Sequence, residues 1–150
     1  MTMDDDAGEW HRRQAVECNN AVWALVAAER TAGNAEAMLQ AAYASAYHWQ
    51  RATRRGPEND VRAAYMLAKV QLLVGQPVLS LRYADACLAG CHEHCLADFD
   101  LTYALEARAR ALQALGRNDE AAYEWAAAKA VPIVDPEDQA IVDSDLAEGP

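Results

Sequence analysis

Long apolar runs are missing from this chain of 150 residues, and no stretch approaches the ~18–20 residues a membrane-crossing helix requires. Alternating Val/Ile/Thr/Tyr segments bounded by turns are missing too, which excludes a sheet-based fold. Positive charge is scarce: 13 Lys and Arg stand against 23 Asp and Glu, a net charge of −10. A surface that displaces counterions from nucleic-acid phosphates needs clustered cations, so general nucleic-acid binding is excluded. The one local cluster, Arg51, Arg54 and Arg55, reads as a solvated loop. The first nine residues are acidic and contain neither a basic segment nor an apolar one, so they do not form a signal peptide. A cytoplasmic location with reduced thiols is the expectation for the four cysteines.

Catalytic signatures are equally sparse. The chain has no Gly-rich phosphate loop, no nucleophile elbow, no His-Glu-x-x-His and no paired Glu-x-x-His. Carboxylate pairs such as Asp98/Asp100 and Asp119/Glu120 stand at helix starts, where capping accounts for them. No enzyme activity and no cofactor are expected.

What the chain does have is alanine, 34 residues of it, in segments of helical periodicity. Alanine is the best helix former, and its small side chain lets helix axes approach closely. The breaks are legible. Gly33, Gly75 and Gly116 are spaced 42 and 41 residues apart, each after one helical segment and before another. Each is expected to end a helix, Gly33 by taking the left-handed conformation. Gly56-Pro57 marks a turn, and Pro77 can open a helix without forfeiting a needed N–H. Asp98 or Asp100 is expected to cap a fifth helix, and Asp135-Pro136-Glu137-Asp138 reads as the start of a seventh.

Helices are therefore expected over about Asp5–Arg30, Ala35–Ala52, Asp60–Val74, Pro77–His94, Asp98–Leu115, Asn118–Val131 and Pro136–Leu146. They make an all-α array of three antiparallel hairpins, about 5–52, 60–94 and 98–131, with a capping helix over about 136–146. Residues 135–148 are acidic, and charge sign alone suggests that they dock on Arg51, Arg54 and Arg55.

Cys87, Cys91, His92, His94 and Cys95 crowd the end of the fourth helix. Cys87, Cys91 and His94 share a stripe at 100° per residue, with Cys95 at its edge. Thiolates with imidazole suit Zn²⁺, so these four define an alternative reading as a metal- or thiol-responsive sensor. A structural zinc site usually draws cysteine pairs from two chain segments, and no second cluster exists; His11, Cys18 and His48 stand apart. Buried packing is the expectation for the cysteines.

Ala107-Arg108-Ala109-Arg110-Ala111-Leu112-Gln113-Ala114-Leu115-Gly116-Arg117-Asn118-Asp119-Glu120-Ala121, followed by Trp125 and Ala128, resembles the tetratricopeptide (TPR) repeat. The 41–42 residue spacing is similar to long-helix variants such as those of kinesin light chains. Tyr47-His48-Trp49 with Asp98-Phe99-Asp100-Leu101 resembles small bacterial TPR-like proteins of unassigned role. The resemblance implies a concave groove lined by the first helix of each hairpin. By the glycine register, that face comprises Asn20, Trp23, Ala27 and Arg30, then Arg62, Tyr65 and Lys69, then Tyr103, Glu106 and Arg110. Aromatic anchors among cations imply a protein or peptide partner of acidic character, and an exposed flank implies self-association as a homo-oligomer. The family's clamp for chaperone tails needs a Lys/Asn pattern where Trp23 and Ala27 stand, so that activity is not implied.

Overall fold

The computed structural model describes residues 2–150, and among them every regular element is a helix. The seven are α1 (Met3–Ala27), α2 (Ala32–Trp49), α3 (Pro57–Leu73), α4 (Pro77–Glu93), α5 (Asp98–Ala114), α6 (Asn118–Ala130) and α7 (Pro136–Asp145). No described helix is long and apolar enough to cross a membrane.

Proline opens three of these helices, Pro57, Pro77 and Pro136 each standing in the first turn, where the missing N–H costs nothing. Thr2 caps α1 by accepting from the Asp5 N–H, while the Asp5 carboxylate returns the bond to the Thr2 N–H. Asp135 accepts from the N–H groups of Glu137 and Asp138 at the start of α7. α3 begins three residues earlier than the periodicity suggests, because Asn59 Oδ1 accepts from the Gly56 N–H and closes the first turn.

The helices pair antiparallel as α1/α2, α3/α4 and α5/α6. In α1/α2, the Ser45 hydroxyl donates to the Ala15 carbonyl at 2.9 Å, and the Thr53 N–H to the Gly8 carbonyl at 3.2 Å. Gly8 is needed there, since a Cβ would meet the Thr53 methyl at 2.3 Å. In α3/α4 the Ser80 hydroxyl reaches the Ala68 carbonyl and the Cys87 thiol the Val61 carbonyl. Arg108 joins α5 to Glu124 of α6. Further contacts run α2 to α3, α4 to α5, α3 to α5, and α7 onto α5. The core follows this succession. Val22, Met38, Ala42, Met66, Leu67 and Val70 fill the first part, Val61, Cys87, Cys91 and Ala104 the middle, and Ala109, Trp125, Ala128, Val142 and Leu146 the last. Ala68, Ala84 and Ala107 form a small-residue seam where α3, α4 and α5 meet.

Gly75 and Gly116 take positive φ (79° and 76°), and the residue after each donates back into the preceding helix, Gln76 to the Gln71 carbonyl and Arg117 to the Leu112 carbonyl. Gly33 does not behave this way. It is the second residue of α2, and α1 ends instead at Ala28 in an extended conformation. Thr31 accepts from the Asn34 N–H to start α2. The first glycine interval is therefore not a structural repeat. The position matching Gly75 and Gly116 at the end of α4 belongs to Cys95, at φ 53°, where the Leu96 N–H donates to the Cys91 carbonyl.

Two other expectations are corrected. Neither Asp98 nor Asp100 is the N-cap of α5; that residue is Ala97. Asp98 lies inside the helix end at φ 59°, bonding the N–H groups of Phe99 and Val134, and so ties the α6–α7 connection to α5. The acidic C-terminal segment does not dock on Arg51, Arg54 and Arg55. Arg54 pairs with Glu9, Arg55 with Asp60, and Arg51 lies over the Tyr47 ring. Sites nearer to the C-terminal segment hold it: the Tyr103 hydroxyl bonds Asp145, and Arg110 donates to the Asp145 and Glu148 carbonyls.

The left-handed residues give a direct test. A Cβ at Gly116 would meet nothing within 4 Å, so Gly116→Ala isolates the backbone cost and should lose about 1–2 kcal/mol. Cys95→Gly should gain up to about 1 kcal/mol by the same strain with opposite sign, offset by unfolded-chain entropy. Urea midpoints at unchanged m-value measure both.

Candidate functional site

α1, α3 and α5 together wall a groove of about 540 Å³. On α3, Arg62, Tyr65, Met66 and Lys69 recur at three- and four-residue steps and present one face. Asn19, Trp23 and Val26 do the same on α1, and Phe99, Asp100 and Tyr103 on α5. The buried Val61 and Cys87 line it from beneath, and Asp145 of α7 is also part of the lining. Trp23 is 40% exposed, which makes it a wall of the groove and not core. Tyr65 is half-buried, and desolvation raises its hydroxyl pKa well above the ordinary value. Its ring stands 5.6 Å from that of Tyr103.

Most charges in this groove are already satisfied. Arg62 grips Asp100 with two nitrogens at 2.9 and 3.1 Å and lies over the Phe99 ring. Tyr103 donates to the Asp145 carboxylate at 2.5 Å; burial, then this bond to a carboxylate, raise its pKa. Lys69 is different. Its ammonium sits 5.8 Å from the Trp23 ring centroid and forms no ion pair among the described residues.

Five of the residues expected from the sequence line this groove: Trp23, Arg62, Tyr65, Lys69 and Tyr103. Glu106 and Arg110 are ion-paired to each other and line an adjoining hollow of about 230 Å³, which Tyr65 and Lys69 share. Asn20 and Ala27 are exposed away from it. Arg30 caps the end of α1, donating to the Leu25 and Val26 carbonyls and to Asn34 Oδ1. The register on α1 is displaced because it was counted from Gly33, which does not end that helix. Asn19 and Val26 are the lining residues, at four and three residues from Trp23. Phe99 was recoverable from its four-residue step to Tyr103. Asp145 was not, since nothing local shows where α7 lands.

The cysteine–histidine cluster does not assemble. Cys87 and Cys91 are buried, their thiols donating to the Val61 and Asp100 carbonyls, while His94 and Cys95 are exposed. Among the described residues no three His, Cys, Asp or Glu side chains are placed to hold a metal ion. Burial raises both the Cys87 and Cys91 pKa values, the reverse of what a reactive thiol needs.

One pairing is invisible in the sequence. His11 of α1 and His48 of α2, 37 positions apart, meet Nδ1 to Nδ1 at 2.7 Å. Trp10 packs edge-on against both rings, as does Tyr47. A hydrogen bond between two imidazole nitrogens requires one to carry a proton and the other to lack it. Burial, then the charges of His11 and Arg51, lower the His48 pKa.

Because the folded pKa of His48 lies below its unfolded value near ~6.5, the unfolded chain binds more protons as the pH falls through that value. Stability contributed by the neutral imidazole is complete above about pH 6.5 and is lost as the pH descends toward the folded pKa. The melting temperature should therefore decline between about pH 7 and 5.5, and His48→Gln should flatten that decline.

No family model, curated protein or solved structure matches the chain.

Proposed function

We propose that this chain is a non-catalytic protein-interaction module of TPR-like architecture, whose groove takes a peptide segment of a partner. The observation that carries the reading is the groove itself: Trp23, Tyr65, Phe99 and Tyr103 beside one cation, Lys69, that has no carboxylate partner among the described residues. The volume of about 540 Å³ accommodates a few side chains. Aromatic walls bury apolar groups at low entropic cost, and a cation without a carboxylate partner rewards an incoming carboxylate.

Helix pairing in order, α3 against α5, and matching left-handed glycines after α3 and α5 support the architecture. The groove's other ionisable groups speak against a chemical step. Arg62 is held by Asp100 and Tyr103 by Asp145, and the buried Cys87 thiol has a raised pKa. A free nucleophile beside a base is not among them. The acidic partner expected from the sequence narrows accordingly: one carboxylate beside an apolar side chain, not a run of negative charge, because Asp100 and Asp145 already face the same groove.

Selection from a displayed random-peptide library tests this. The enriched sequences should place Asp or Glu beside an aromatic or long aliphatic residue. Trp23→Ala and Lys69→Glu should each weaken them by about 2 kcal/mol, roughly thirtyfold. Arg82→Glu, on α4 away from the groove, should leave affinity unchanged. Failure to enrich any peptide, or enriched peptides that bind all three variants equally, refutes the groove.

A further inference from the structure

The His11–His48 pair lies outside the groove and has no part in the reading above. Its separation is fixed by the backbone of two helices. Toward the α1 N-terminus, Gly8 and Thr53 are joined by a main-chain bond, and Arg12 clamps the Thr53 and Arg54 carbonyls at 3.2 and 3.1 Å. One turn beyond His11, the buried Ser45 hydroxyl holds the Ala15 carbonyl at 2.9 Å. The histidines sit between these two pins, so neither helix can slide without breaking one. Trp10 and Tyr47 meet the two rings edge-on and leave them facing each other through Nδ1. Neither Nε2 forms a hydrogen bond among the described residues, which leaves each free to carry the proton of the tautomer whose Nδ1 lone pair is exposed.

We propose that His11 and His48 form a two-imidazole chelate for a borderline divalent transition-metal ion. Imidazole nitrogens bind such ions at ~2.0–2.1 Å, so two of them on one ion stand roughly 2.9–3.4 Å apart for angles between square and tetrahedral. The nitrogens need to separate by only a few tenths of an ångström from the observed 2.7 Å, but with the ring centroids 5.0 Å apart the two lone pairs meet head-on, so each ring must also turn by roughly 35–45° to aim at a shared ion. The neutral pair has one proton between the two nitrogens. On binding, that proton leaves Nδ1 and the same ring is protonated at Nε2 from solvent, so both rings stay neutral and no net proton is released. Two protein ligands leave the remaining positions to water.

The surroundings select among ions. Glu9 is committed to the Thr53 hydroxyl and to Arg54, so no carboxylate is offered. Arg51 lies over the Tyr47 ring and adds positive charge nearby. Affinity must come from ligand bonds and not from charge, which favours Cu²⁺, Ni²⁺ and Zn²⁺ in the order of their nitrogen affinities and excludes Mg²⁺ and Ca²⁺.

Ni²⁺ alone is the probe, because it leaves the thiols unoxidised. It is titrated into the chelator-treated full chain near neutral pH, with histidine ring resonances and melting temperature as readouts. Paramagnetic broadening should strike His11 and His48 before His92 and His94, at about one ion per chain, and the melting temperature should rise with Ni²⁺ concentration. His11→Gln and His48→Gln should each abolish that rise, since one imidazole does not chelate, and Mg²⁺ should produce none. Broadening that begins at His92 or His94 overturns the proposal, and the wild-type spectra decide this without any variant. So does a rise that survives either substitution, or the absence of any rise.

Discussion

The fold depends on how closely three helices can approach at one seam. Ala84 of α4 has no solvent exposure and packs with Ala68 of α3 and Ala107 of α5. A larger side chain at this point has nowhere to go, because interiors are packed to the density of organic crystals. The abundance of alanine is thus more than helix propensity. With small residues at the seam, α4 sits deep enough for α3 and α5 to touch, and their contact brings the rings of Tyr65 and Tyr103 together. The groove is a consequence of that approach and needs no contribution from loops.

Its electrostatics follow from the same arrangement. Once α3 and α5 lie side by side, Arg62 faces Asp100 across the seam and is neutralised by it. The C-terminal segment completes the pattern. Leu146 and Val142 bury against Trp125, and that anchoring carries Asp145 to the Tyr103 hydroxyl and the carbonyls of Asp145 and Glu148 to Arg110. A chain with a net charge of −10 therefore has a groove whose own acids are engaged and in which Lys69, among the described residues, has no carboxylate partner.

Much of the helical layout was legible because it is local. Proline at the first turn, glycine at the end of a helix and the capping Asp135 each act within a few residues, and Pro77, Pro136, Gly75 and Gly116 stand where such features do, whereas Pro57 reads as a turn and opens α3 instead. The face of α3 was legible for the same reason, since Arg62, Tyr65 and Lys69 follow from helical spacing alone. Gly33 misled because a glycine in a helix and one ending a helix look alike in sequence. The resulting register put Asn20, Ala27 and Arg30 in place of Asn19 and Val26. What could not be read is what depends on where separate elements land: Asp145 in the groove's lining, and His11 against His48, whose meeting is set by the α1–α2 register. The cysteines share a helical stripe, as expected, yet the stripe faces the core at Cys87 and Cys91 and runs out into solvent at His94 and Cys95.

The dependence of the groove on the alanine seam can be measured through the two tyrosines. In wild-type protein, nuclear Overhauser contacts should connect the ring protons of Tyr65 and Tyr103, whose centroids are 5.6 Å apart. Ala84→Leu overfills the seam at a cost of about 1–3 kcal/mol, so the chain should remain helical while α3 and α5 separate and those contacts vanish. Contacts that are missing in the wild type, or that persist undiminished in the leucine variant, would contradict the claim that the seam builds the groove.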